Sequence, residues 1–162
     1  MDIRFTDKNI FEAEAQSIVF FTDHSLLGNK TTSLIERAGE RIIEPLIKQS
    51  GCATGEVKIV PGFDLYSNYV LLSVLPTRDP PLAEKIFEDM LFQIFNILAE
   101  YNIHSAAIDL FYIQKVFDQE YVALLNDVVK KNRRENTDVL LYLCKGEFVD
   151  NRLWLLYYKV RR

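Results

Sequence analysis

Cysteine, net positive charge and long apolar runs are scarce in this 162-residue chain, and each shortage removes a class of protein. Two cysteines, Cys52 and Cys144, make neither a disulfide framework nor a metal-ligand cluster, and they fit a reducing, intracellular setting. A formal net charge of -4 supplies no overall positive field to neutralise phosphates, so nucleic acid is not an expected partner. No stretch has the uninterrupted apolar length of a membrane span, and Asp2 and Arg4 so near the N-terminus do not suit a signal peptide. The expected location is the cytoplasm, away from any membrane. No internal repeat, low-complexity tract or linker divides the chain, so residues 1–162 are expected to form one domain. That length buries a core without covalent staples.

What is present is organised around residues 54–76. Two short aliphatic runs, 57–60 and 69–74, flank a turn-rich centre of Pro61, Gly62, Asp64, Ser67 and Asn68. Such a pattern reads as two strands joined by a compact loop. Earlier, Ile3 and Phe5 alternate with polar neighbours as a strand does, 12–16 is a polar connector, and 17–21 suits a strand buried on both faces. Residues 22–32 read as a loop holding Asp23, His24, Gly28, Asn29 and Lys30. It ends where Ser33 and Glu36 have capping-box spacing. Leu34, Ile35, Ala38, Ile42, Ile43, Leu46 and Ile47 then recur at helical spacing. Pro45 is predicted to kink or split that helix, and Gly51 to stop it.

Pro80 and Pro81 are predicted to open a second helix, whose apolar stripe runs from Ala83 to Leu98. Residues 104–110 read as a strand and 111–117 as an aromatic-rich loop. Asp118 is placed to cap a third helix bearing Val122, Leu125, Val128 and Val129, and 139–144 is a last strand. Asp150 is placed to cap a terminal helix over 154–160, unless those residues pair as a strand. Strands alternating with helices predict an α/β layered domain with a mostly parallel or mixed sheet. Ligands in such sheets bind at the carboxyl ends of the strands, which directs attention to 22–32 and 111–118.

A family resemblance rests on particular residues. Thr54-Gly55-Glu56, Pro61-Gly62-Phe63-Asp64-Leu65 and the run from Tyr69-Val70 to Pro76 resemble the middle of a macro domain, the ADP-ribose-binding α/β module. The similarity covers most of the chain and is best at 9–43 and 54–76. Asn9-Ile10 stands where the family usually has Asp-Ile, whose acidic residue recognises adenine. Ile18-Val19-Phe20-Phe21-Thr22-Asp23, followed by Leu26, resembles Ile-Val-Asn-Ala-Ala-Asn-x-x-Leu, with Phe20 and Asp23 replacing the asparagines. The family's glycine-rich run is reduced to Gly28-Asn29-Lys30-Thr31-Thr32, and Thr31 falls where some family hydrolases carry an aspartate. Ala38-Gly39 matches the end of the helix motif, and Ser105-Ala106-Ala107-Ile108 resembles Ser-Ile-Ala-Phe. The Ser-Thr-Gly phosphate loop would fall near Tyr112-Ile113-Gln114, where there is no glycine.

The resemblance implies a three-layer α/β/α sandwich with a central mixed, mostly parallel sheet. It implies a ligand site drawn from Asn9, Ile10, Asp23, Gly28, Asn29, Tyr112, Ile113 and Gln114, with ADP-ribose or another adenine nucleotide as ligand. A pyrophosphate is held by converging backbone N–H groups, and glycine permits both the φ values and the close approach. Tyr112, Ile113 and Gln114 offer neither and are expected to fill the phosphate groove. Asp23 would add negative charge beside an anion, while the Asn9 carbonyl would still accept from an adenine amino group. The expected function is therefore a macro-like binding module with a remodelled, non-catalytic pocket, acting in binding or assembly with a protein partner. The alternative is a reader of ADP-ribose or a related nucleotide, and a third reading is an ADP-ribosyl hydrolase. No catalytic residue, cofactor or metal site is assigned.

Several other groups invite a chemical reading beside a plain one. Asp23-His24 is a carboxylate–imidazole pair, but adjacent loop residues tend to point apart. His104 at a strand entry reads as structural, and both cysteines as buried thiols. Lys130, Lys131, Arg133 and Arg134 suit a solvated helix C-terminus. Phe111, Tyr112 and Phe117 either stack on a base or close a lost pocket. Trp154, Tyr157 and Tyr158 form a packing patch or a partner surface.

Overall fold

The computed structural model of the chain describes residues 1–77, 82–117, 121–132 and 138–145. Its centre is β2 (Ser17–Phe21), every residue of which is buried. Side chains alternate along a strand, so Ile18 and Phe20 join one apolar cluster while Val19 and Phe21 join another on the opposite face. The other strands are β1 (Asp2–Thr6), β3 (Val57–Pro61), β4 (Tyr69–Ser73), β5 (Ser105–Asp109) and β6 (Leu140–Cys144). They form one six-stranded sheet in the order β1-β6-β5-β2-β4-β3. All neighbours run parallel except β3 and β4. That antiparallel pair is the expected hairpin. Gly62 is needed there for close approach, since a Cβ would stand 1.9 Å from the Ser67 carbonyl oxygen.

The helices are α1 (Thr32–Ala38), α2 (Ile43–Lys48), α3 (Leu82–Glu100), α4 (Leu110–Val116) and α5 (Tyr121–Asn132). On one face Leu34, Ala38, Ile42 and Leu46 pack with Ile18, Phe20, Val70 and Ala107. On the other, Phe87, Met90, Ile94 and Leu125 pack with Val19, Leu71, Ile108 and Leu141. The result is the three-layer α/β/α sandwich with a mixed, mostly parallel sheet. No helix among the described residues is long and apolar enough to cross a membrane.

Three local expectations are corrected. The first helical segment breaks at Gly39, not Pro45. Gly39 has φ +91°, a conformation that a side chain strains, whereas Pro45 is the third residue of α2. In a first turn the backbone N–H has no intrahelical partner, so proline costs little there. Ser33 is not a cap: α1 begins at Thr32 after a 3₁₀ turn (Asn29–Thr31), without a side-chain cap. The Thr31 hydroxyl is instead 2.7 Å from that of Thr22 in a buried pair. Finally, the segment 111–117 is not a loop. It is α4, which leaves β5 directly because Leu110, Ile113 and Phe117 recur at helical spacing and are fully buried.

Pro80, Pro81, Asp118, the side chain of Val122, Arg133, Arg134, Asp150, Trp154, Tyr157 and Tyr158 lie outside the described residues.

Candidate functional site

A cavity of about 370 Å³ opens at the carboxyl ends of β2 and β5, where an α/β sheet is expected to bind. Four aromatic rings line it. Phe11, from the turn after β1, meets Phe20 with ring centres 5.9 Å apart. Phe21 stacks on Tyr112 of α4 at 5.7 Å and an interplanar angle of 9°. Phe20 and Phe21 point to opposite faces, so the cavity straddles the end of the sheet with one aromatic pair on each side. Lys30, Ser33 and Arg37 approach from the 3₁₀ turn and α1. The Arg37 guanidinium carbon lies 4.9 Å from the centre of the Phe11 ring, within cation–π range.

Asp109 is the acidic side chain that lines the cavity among the described residues. Val19 pairs with Ile108 in the parallel ladder, which puts Phe20 and Asp109 next in register. Strand alternation turns Asp109 to the face of Ala107, beside Cys144 in β6. Its Oδ1 accepts the Tyr112 N–H at 3.0 Å and so caps α4. Burial raises its pKa above the ordinary carboxylate value, against the pull of backbone hydrogen bonds from Tyr112 and Phe111. Burial and then the Asp109 charge push the Cys144 thiol up to about 12, and burial pushes Cys52 up to about 11. Neither thiol is a nucleophile at neutral pH.

Of the candidate residues, Asn9, Ile10 and Tyr112 line the cavity. The Asn9 carbonyl oxygen accepts from the backbone N–H of Phe11 at 2.9 Å and of Glu12 at 3.1 Å. Two donors occupy its two lone pairs, so this oxygen is engaged locally rather than free for an adenine amino group. Asp23 does not line the cavity. Its Oδ1 accepts from the Ser25 hydroxyl at 2.7 Å and from the backbone N–H groups of Ser25 and Leu26, each at 3.1 Å. The Ser25 hydroxyl bond, with backbone bonds from Ser25, Gly28 and Leu26, outweighs burial and lowers its pKa. Asp23 is thus the internal anion of its own turn. Gly28 lies against it, where a Cβ would be 1.9 Å from Oδ2.

Asn29 opens the 3₁₀ turn, exposed and off the cavity. Ile113 is fully buried in the α3 face of the core, and Gln114 is half-buried away from the lining. Tyr112 therefore borders the groove, but Ile113, Gln114 and Phe117 do not fill it as expected, because helical period turns Ile113 and Phe117 into the core and leaves Gln114 off the lining. His24 Nδ1 donates to the Cys52 carbonyl at 3.0 Å, while Asp23 turns to Ser25. The two point apart. His104 pairs with Asp138 at 2.8 Å, just before β5 and so at the opposite end of the sheet. Lys131 pairs with Glu88 of α3 at 3.3 Å.

Sequence reasoning missed Phe11, Ser33, Arg37 and Asp109 as lining residues, and it named Phe20, Phe21 and Lys30 without assigning them to the site. Lys30, Ser33 and Arg37 recur at helical spacing beside the apolar stripe of α1, a legible polar stripe. An aspartate ending an apolar strand three residues before Tyr112 was a legible cap.

No protein-family model matches the sequence. Solved structures of the same architecture exist. The macro domain of ganglioside induced differentiation associated protein 2 superposes with a TM-score of 0.80 at 17% identity, over 98% of this chain and 82% of that one. A Trypanosoma brucei macrodomain matches with a TM-score of 0.79 at 17% identity, over 99% of this chain and 67% of that one. The Oceanobacillus iheyensis macrodomain with ADP matches with a TM-score of 0.77 at 18% identity, over 98% and 89%. This chain has the macro domain fold.

Proposed function

We infer that this chain is a non-catalytic binding module of macro domain fold, whose remodelled cleft takes a flat, nucleoside-like ring and gains little from a pyrophosphate. One observation carries the reading: backbone donors in the 22–32 loop and in the first turn of α4 are taken by the chain's own carboxylates, Asp23 in the loop and Asp109 at the helix. An incoming phosphate would lose those donors and meet Asp109 in the cavity. The Asp109 charge on the cavity lining repels an incoming phosphate, by an amount that grows as the two approach. Lys30 and Arg37 are exposed, and an exposed ion pair returns only about 0–1 kcal/mol. The four rings favour stacking, worth roughly 1–3 kcal/mol per base without a phosphate.

A second reading, a reader of ADP-ribose, is favoured by Lys30 and Arg37 on the lining. The Trypanosoma brucei macrodomain has been solved with ADP-ribose and with ADP, which supports the same reading. Calorimetry with guanosine, adenosine, AMP, ADP and ADP-ribose separates the two. The remodelled cleft predicts that at least one nucleoside binds and that ADP and ADP-ribose gain less than about tenfold over adenosine. A gain of a hundredfold or more for ADP-ribose establishes the reader. No heat from any of these ligands overturns both readings and moves the function to protein assembly.

A further inference from the structure

We propose that Asp109 reads the edge of the bound base and selects a heterocycle with two adjacent N–H donors, the guanine-type edge, over the adenine edge. This rests on the reading that the cleft holds a nucleoside-like ring, and it names which ring. A flat heterocycle stacked on the rings of this cavity meets the Asp109 carboxylate, which lines the same cavity at the ends of β2 and β5. An ionised carboxylate only accepts, through two oxygens with about four lone-pair directions. The Tyr112 N–H uses one direction on Oδ1, and the Phe111 N–H uses another on the same carboxylate. The remainder suits a pair of parallel donors, which guanine supplies with N1–H and its 2-amino group. Adenine presents one donor, its 6-amino group, next to the N1 acceptor. That acceptor would face a carboxylate lone pair and remain unpaired, which both loses a bond and repels.

The cap sharpens the test. In Asp109→Asn the side-chain oxygen keeps the Tyr112 N–H, so the new amide NH₂ replaces the other oxygen. The site then shows an acceptor beside a donor, the complement of adenine rather than guanine. A bidentate base contact discriminates by roughly 1–3 kcal/mol, or about tenfold to hundredfold.

The experiment is calorimetric titration of the full chain with guanosine, inosine and adenosine, repeated with Asp109→Asn after its fold is verified by circular dichroism. The native chain is expected to bind guanosine about tenfold to hundredfold more tightly than adenosine. Inosine, which keeps N1–H but lacks the 2-amino group, should fall between. Asp109→Asn is expected to reverse the guanosine-to-adenosine order. Adenosine binding as well as guanosine in the native chain overturns the assignment while leaving the nucleoside cleft intact, as does an unchanged ratio in a folded variant. If the variant does not fold, the inosine position in the native series still decides. Silence from all three nucleosides overturns this proposal together with the reading beneath it.

Discussion

Asp23 and Asp109 are both helix- or turn-capping carboxylates, yet their environments push them in opposite directions. Asp23 is held by a hydroxyl and backbone N–H groups, so its folded pKa lies below the ordinary aspartate value of 3.8. Its contribution to stability is present above that value and is lost as pH falls through the folded pKa. Asp109 is raised by burial, so the folded state binds a proton more readily than the unfolded chain. Its ionisation costs stability as pH climbs from 3.8 through the folded pKa. Urea unfolding between pH 3 and pH 7 should therefore show a weaker loss of stability on acidification in Asp23→Asn than in the native chain. Asp109→Asn should lose the opposing slope. At pH 7, Asp23→Ala should cost about 1 kcal/mol, the usual value of a capping acceptor. Only part of this was legible. The sequence shows an aspartate at position 23, but its partners Ser25, Leu26 and Gly28 are set by the turn, not by residue type.

At the scale of elements, the break between α1 and α2 and the packing of α4 carry separable predictions. Gly39→Ala forces a side chain onto φ +91° and to within 2.7 Å of an Asp64 oxygen. It should cost roughly 1–3 kcal/mol in denaturant unfolding. Pro45→Ala should change stability by less than about 0.5 kcal/mol, because the proline replaces no helical hydrogen bond. A loss of about 3 kcal/mol of strain on removing Pro45 would instead mark it as the kink. Phe117 is fully buried and stacks on Phe87 at 4.7 Å, so Phe117→Ala should cost about 3–5 kcal/mol. Phe111, 44% exposed, should tolerate alanine within about 0.5 kcal/mol. The helical period of Leu110, Ile113 and Phe117 was in the sequence. It was obscured because Asp109 and Leu110 also continue an apolar strand, and only pairing with β6 ends that strand at Asp109.

For the whole molecule, the cavity joins residues from the turn after β1, from β2, α1, β5 and α4, so ligand binding is linked to global stability. Guanosine at about a hundred times its dissociation constant should stabilise the native chain by about 2.7 kcal/mol. Thermal melts should show the corresponding rise in midpoint, and Tyr112→Ala should abolish it while the protein remains folded. Strands, most helices and the layered α/β class follow from local periods of 2 and 3.6, which neighbouring residues display by themselves. Those parts the sequence determined alone. Which side chains share the cleft was decided by tertiary structure, because the parallel register sets Phe20 beside Asp109 and the crossover helices bring Arg37 and Tyr112 to the same strand ends. Register is a property of distant segments packed together, and no single stretch contains it.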